Sequence, residues 1–248
     1  MSIDYKSSRK ISTGSFDFNK WLFGGYDIDI ITTLYGPAGS GKTNFSMLVA
    51  ASQARKKKKV IYIDTEGGFS VDRFKQIIGE DADNLLENIL LLKPTSFDEQ
   101  EESFERLLKE IKLVLPGVII VDGMTMLYRL ELAEARKKNS KKNIDLINSK
   151  LARQMRILNE VARKKKIPII ITNQVYNEFL SEEEIKRGVE KKVNMVGGDI
   201  PKYWSKCIIE LKKEGYKRKA ILRKHRSLPE KEISFEIVNS GIRKRGIF

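Results

Sequence analysis

Five apolar runs punctuate the chain: ITTLY at 31–35, VIYID at 60–64, NILLL at 88–92, VIIVD at 118–122 and PIIIT at 168–172. They are rich in Ile, Val and Leu and lack alternation, the pattern of strands buried on both faces. Between them, 43–54, 71–78, 97–114 and 144–165 space their apolar residues as helices do. Ser96 followed by Glu99 is a capping-box signature opening the third of these helices, and Pro116-Gly117 closes it. Strands separated by helices predict an α/β fold: a mainly parallel sheet with helices on both faces. After Gly198 the texture changes. CIIEL, KAILRK and EISFEIV, separated by KEGYK and SLPEK, predict antiparallel C-terminal strands extending the sheet edge. The stretch 177–198, with Glu182, Glu183 and Glu184 in succession, reads as the least structured piece.

Composition narrows the function classes. At 248 residues and 41% hydrophobic, the chain supports one domain over 1–248 with a full core. One Cys, Cys207, and one His exclude an internal disulfide and a four-ligand zinc site. No apolar run approaches the roughly 20 residues that span a bilayer, and MSIDYKSSRK is no signal peptide, so a cytoplasmic protein is expected. The net charge is +14, unevenly placed: residues 1–200 hold 33 basic and 28 acidic side chains, and residues 201–248 hold 14 and 5. That concentration points to a localised anion-binding face. The clusters 55–59 and 163–166 close helices ahead of strands, where cations meet the helix dipole.

GPAGSGKT at 36–43 supplies the chemistry. It fits G-x-x-x-x-G-K-[ST] with a strand before it and a helix after it, the context of a phosphate-binding loop. In the loop Gly36, Pro37, Ala38, Gly39, Ser40 and Gly41, the glycines let backbone N–H groups turn inward around phosphate oxygens, Lys42 neutralises charge on the β and γ phosphates, and Asn44 follows in the helix. Thr43 offers a hydroxyl to Mg2+, and Asp122, ending VIIVD, would orient the hydrated ion; an Asp there also serves as a plain helix cap. ATP and Mg2+ are thus the expected cofactors. Glu66, just past VIYID, stands where a carboxylate polarises an attacking water. Asp64 competes with it, although a strand-end position suits a structural role. Gln174, after PIIIT, can sense the γ-phosphate through its amide or simply be solvated.

The succession GPAGSGKT, YIDTEGGF, VIIVDG, ITNQV and GGDIP, approached through ISTGSFDFNKWLFGGYDIDIITTLYG, resembles the RecA-like P-loop NTPase core of the RecA/RadA recombinase superfamily, from about Ile11 to the end. LYRLEL, RKHRSLPE and the lack of an N-terminal helical DNA-binding domain resemble its archaeal RadB branch. The resemblance implies that Glu66 is the catalytic glutamate, that Arg73 stacks on adenine, that Gln174 senses the γ-phosphate ahead of a second DNA-binding loop, and that Arg129 enters a first one containing the basic run 136–142. It further implies ATP binding with weak hydrolysis, binding of single-stranded or branched DNA, and an accessory role beside a RadA-type recombinase. Two departures bear on strand exchange. The three glutamates fall where the second loop would grip DNA. Phe16, Phe18 and Phe23 are followed three residues later by Asn19, Trp21 and Tyr26, so no Phe-x-x-Ala polymerisation signal precedes the core. A homo-oligomer is therefore left open.

Lys224, His225 and Arg226 follow KAILR, and alternation would put Lys224 and Arg226 on one side. They can hold DNA phosphates, reach a neighbouring subunit's γ-phosphate as a finger, or block a strand edge. Tyr176, Phe179 and Trp204 are aromatics that could stack on bases or pack in the core. Two functional classes follow. One is a DNA-binding ATPase; the other is a nucleotide-stabilised binding module that loads or steadies a recombinase. A stand-alone RecA-like ATPase of the clock or helicase type is the runner-up family.

Overall fold

The computed structural model describes residues 10–177 and 193–246. Its elements run β1 (Lys10–Ile11), α1 (Phe16–Trp21), β2 (Tyr26–Asp27), β3 (Ile31–Tyr35), α2 (Lys42–Ala54), β4 (Val60–Asp64), α3 (Val71–Ile78), α4 (Ala82–Leu86), β5 (Ile89–Leu92), α5 (Phe97–Leu113), β6 (Val118–Asp122), α6 (Met126–Lys137), α7 (Lys141–Lys165), β7 (Ile169–Asn173), β8 (Val175–Asn177), β9 (Val193–Met195), α8 (Asp199–Trp204), β10 (Cys207–Glu214), β11 (Lys217–Lys224), β12 (Lys231–Val238) and β13 (Gly241–Lys244). The glutamates 182–184 and Phe179 lie outside the described residues.

A nine-stranded sheet of order β13-β12-β11-β10-β3-β7-β6-β4-β5 carries the fold. The five runs anticipated as strands pair in parallel, and β10 joins them in parallel beside β3. From β10 onward the pairing is antiparallel, as the change of texture after Gly198 predicts. Each buried strand serves two cores, because successive side chains point to opposite faces. Val60 and Tyr62 of β4 meet α2 and α3 on one face, while Ile61 and Ile63 meet the α5–α6–α7 layer on the other. Helix α2 buries residues all round, among them Phe45, Met47, Leu48, Val49, Ala50 and Ala51, so its polar N-terminus is fixed against the sheet.

Local signals set most boundaries. Ser96 Oγ accepts from Glu99 N at 3.1 Å, but the Glu99 carboxylate reaches back to Thr95, at 2.6 Å from N and 2.8 Å from Oγ1, rather than to the N-cap residue itself. Helix α7 starts at Lys141 rather than 144, because Ser140 caps it by accepting from Asn143 N. At the sheet centre, a Cβ on Gly36 would lie 2.2 Å from Leu211 O, so only glycine lets β10 lie against the start of the phosphate loop.

Candidate nucleotide-binding site

Strand β3 delivers the chain to Gly36, and α2 begins at Lys42 after Gly41, whose φ is +108°. No side chain caps that N-terminus, which leaves its first N–H groups and the positive end of the helix dipole for an anion. Lys42 Nζ donates to Gly36 O at 2.9 Å, Pro37 O at 3.0 Å and Gln174 Oε1 at 3.5 Å. Burial lowers the Lys42 pKa, opposed by Glu66 and Asp122. Ser40 Oγ, inside the loop, is buried without a hydrogen-bond partner. An orphaned hydroxyl beside the uncapped first N–H groups of α2 fits the oxygens of a nucleotide's phosphates.

Asp122 is 1% exposed at the end of β6, in register with Asp64 of β4. Tyr62 Oη donates to its Oδ2 and Thr172 Oγ1 to its Oδ1, each at 2.6 Å, and Thr43 hydrogen-bonds it as well. Burial raises the Asp122 pKa, and these hydroxyls pull it back. Thr43 and Asp122, adjacent and oxygen-bearing, fit Mg2+, which takes few protein ligands and completes its shell with water and phosphate. No group of three or more His, Cys, Asp or Glu among the described residues forms a metal cage.

Asp64 accepts from Gly68 N at 3.1 Å and Phe69 N at 2.9 Å, closing the turn that carries Glu66. This is the structural role that suits its strand-end position. Glu66 Oε2 accepts from Gln174 Nε2 at 3.0 Å, so one amide links the phosphate-loop lysine to the carboxylate. Burial raises the Glu66 pKa, with Gln174 and then Lys42 opposing it.

Arg73 caps a second group. Its Nε donates to Asn44 Oδ1 at 2.9 Å, and its terminal nitrogens donate to Val238 O at 2.7 Å, Gln76 Oε1 at 3.0 Å and Asn239 O at 3.1 Å. These bonds engage the guanidinium edge and leave its plane for stacking. Asn44 and Arg73 are thus brought together beside α2. Arg129 is exposed in the first turn of α6. The run 136–142 divides between the end of α6 and the start of α7, and so does not form one loop.

The triad at 224–226 corrects the alternation argument. Strand β11 ends at Lys224, and the chain then turns, so His225 Nε2 and Arg226 Nε close on the same Asp27 Oδ2 at 3.3 and 3.1 Å. Arg226 also pairs with Asp29 at 3.0 Å, while Lys224 Nζ donates to Lys202 O. Asp27 and Asp29 precede β3, so His225 and Arg226 sit at the end of the sheet where β3 begins, away from the phosphate loop that follows Tyr35, whereas Lys224 lies level with Thr33 in the middle of β3.

Several contributors give no signal of their own in the sequence. Tyr62 and Thr172 read there as core and strand residues, and Gly123 as a spacer. Arg218, whose Nε donates to Gly39 O at 3.3 Å, belongs to the basic C-terminal excess but has no local motif around it.

The Rad51 family model matches residues 6–245. The chain is 38% identical to the "DNA repair and recombination protein RadB" of Methanobrevibacter smithii, over 96% of this chain and 97% of that protein. It is 38% identical to the protein of that name from Methanosphaera stadtmanae, over 96% and 97%. The protein of that name from Methanocaldococcus jannaschii is 39% identical, over 89% and 96%.

Proposed function

The chain belongs to the Rad51 family, and from that membership we propose that it is an ATP-binding, DNA-binding accessory protein of DNA repair and homologous recombination, with weak Mg2+-dependent ATP hydrolysis and no strand exchange of its own. Membership removes the clock- or helicase-type ATPase as a competing reading. The relatives' shared name, a DNA repair and recombination protein, supports the process. The observation that carries the enzymatic part is the chain Lys42–Gln174–Glu66, in which one amide accepts from the phosphate-loop ammonium and donates to the carboxylate.

Lys42 and the N–H groups at the start of α2 bind and orient the triphosphate. Thr43 and Asp122 would hold Mg2+, which when bound would neutralise charge on the phosphates. Gln174 occupies Glu66 Oε2 and leaves Oε1 to accept a proton from water. Single-stranded or branched DNA and a RadA-type recombinase are the proposed partners. Glu182, Glu183 and Glu184 support the absence of strand exchange, because three carboxylates repel a phosphate backbone. The test is ATP turnover of the wild type against Glu66→Gln, with and without single-stranded DNA; equal rates for the two proteins would sink the enzymatic reading.

A second reading, a nucleotide-stabilised module that steadies a recombinase partner, is favoured by one observation: the Lys42 ammonium is already held by two carbonyls of its own loop. It predicts that ATP raises the melting temperature while Glu66→Gln leaves turnover unchanged.

A further inference from the structure

Strand β10 overruns the sheet. Glu210 lies beside Tyr35, the last residue of β3, so the strand continues four residues farther to Glu214, roughly 13 Å at about 3.3 Å per residue. The β10–β11 hairpin therefore projects past the edge that carries the phosphate loop. Next to its turn Glu214 faces Lys217, while two of its cross-strand pairs put like charges opposite each other, Lys212 against Lys219 and Lys213 against Arg218. Such pairs weaken an antiparallel ladder unless an anion compensates them. Lys219 has Glu232 at 2.9 Å, whereas Lys212, Lys213 and Lys217 form no ion pair with the described residues.

Lys212, Lys217, Arg218, Lys219 and Arg245, with Glu214, line a cleft of about 400 Å³. At the turn stands Tyr216, 76% exposed, with the Arg245 guanidinium 5.4 Å from its ring centroid. An exposed ring among cations is the combination that holds single strands: bases stack on the aromatic face while the cations track the phosphates. On the opposite face of β11 from Lys217 and Lys219, Arg218 Nε donates to Gly39 O, so the same strand braces the phosphate loop.

We propose that this hairpin binds single-stranded DNA, Tyr216 stacking on a base and Lys212, Lys217 and Arg245 holding the backbone, at a site separate from Arg129 and from the 224–226 triad. The proposal rests on the DNA-binding reading above and assigns its residues. Strand β11 sets the separation, since Tyr216 precedes its first residue and Lys224 is its last.

The test is fluorescence anisotropy of a labelled oligothymidylate against the full chain over a range of salt concentrations. Tyr216→Ala should weaken binding at least about fivefold while leaving the salt slope unchanged, and Tyr216→Trp should retain affinity because it keeps a stacking face. The triple variant K212A/K217A/R245A should weaken binding and flatten the slope by about 2, at about 0.7 per lost phosphate contact. Lys109→Ala, on the exposed face of α5, should bind as wild type. If the wild type binds and both Tyr216→Ala and the triple variant match it, the hairpin proposal fails while DNA binding stands. It fails in the same way if Tyr216→Trp loses as much affinity as Tyr216→Ala. A wild type that binds no oligonucleotide overturns the hairpin and the DNA-binding reading together.

Discussion

Gly123 leaves the room that Glu66 occupies. A Cβ at position 123 would stand 2.7 Å from Glu66 Cγ and 2.9 Å from its Oε1, and 2.5 Å from Thr65 Oγ1, and the residue's φ of +91° already disfavours any side chain. Gly123→Ala should therefore cost about 1–3 kcal/mol of stability through the strained backbone alone. It should also displace the carboxylate, so ATP turnover should fall well below that of a surface variant of equal melting temperature. Turnover at the wild-type level would show that Glu66 does not act from this position.

Glu66 sets an acid limit. Its folded pKa lies above the ordinary glutamate value because of burial, so it protonates at a higher pH than a solvated glutamate and loses its proton-accepting form there. Hydrolysis should fall as pH drops through that raised pKa, beginning above about 4.5, the usual value. The stability sign is the reverse: the folded chain binds the proton more tightly than the unfolded one, so this group favours folding more as pH falls through the same window. A pH–rate profile checks the first claim, and Glu66→Gln should have no such acid limb.

Thr172 joins the metal-side carboxylate to the turn after it. Its Oγ1 donates to Asp122 Oδ1 at 2.6 Å and accepts from Gly123 N at 2.7 Å. Thr172→Val keeps the shape, orphans Gly123 N and removes one of the donors to Asp122, which keeps Tyr62 and Thr43, so chemical denaturation should register a loss of about 1–3 kcal/mol. Thr172→Ser should recover most of it, which separates the hydroxyl's role from packing.

His225 gives a single-residue probe of the triad, since it is the chain's one histidine. Burial lowers its pKa, Asp27 opposes, and Lys10, Arg226 and Lys231 add to the lowering. A folded pKa below the unfolded value means that stability is lost as pH falls below about 6.5. Arg226→Ala removes one lowering charge, so NMR titration should find the His225 pKa moved up and the acid loss reduced. At neutral pH the same change should cost about 2 kcal/mol, because Asp27 is 4% exposed and loses a charged donor. An unmoved titration curve would mean that the Arg226–Asp27 pair does not persist in solution.

The strands were legible because burial on both faces leaves an unbroken apolar run: VIYID and VIIVD match β4 and β6 residue for residue. The phosphate loop, Glu66 and Gln174 come just past strand ends and Asp122 closes one, so the strand pattern alone already gathered them at one edge of the sheet. What local pattern could not report was pairing across the fold. Tyr62 reads as core until β4 and β6 align it beside Asp122. Arg226 reads as a free strand-end cation until Asp27, 199 residues earlier, meets it. The like-charge pairs of the hairpin likewise exist only in the register of β10 against β11.

The antiparallel course of β11 has a kinetic meaning. With Arg226 held by Asp27 and Asp29 at the end of the sheet where β3 begins and the phosphate loop at the other end, Arg226 contacts a bound triphosphate directly only when that nucleotide sits in another molecule. Any direct contribution of Arg226 to turnover must therefore rise with protein concentration and vanish on dilution, whereas Glu66 and Lys42 act at every concentration. Specific activity measured over a dilution series thus distinguishes a reaction completed within one chain from one completed between two.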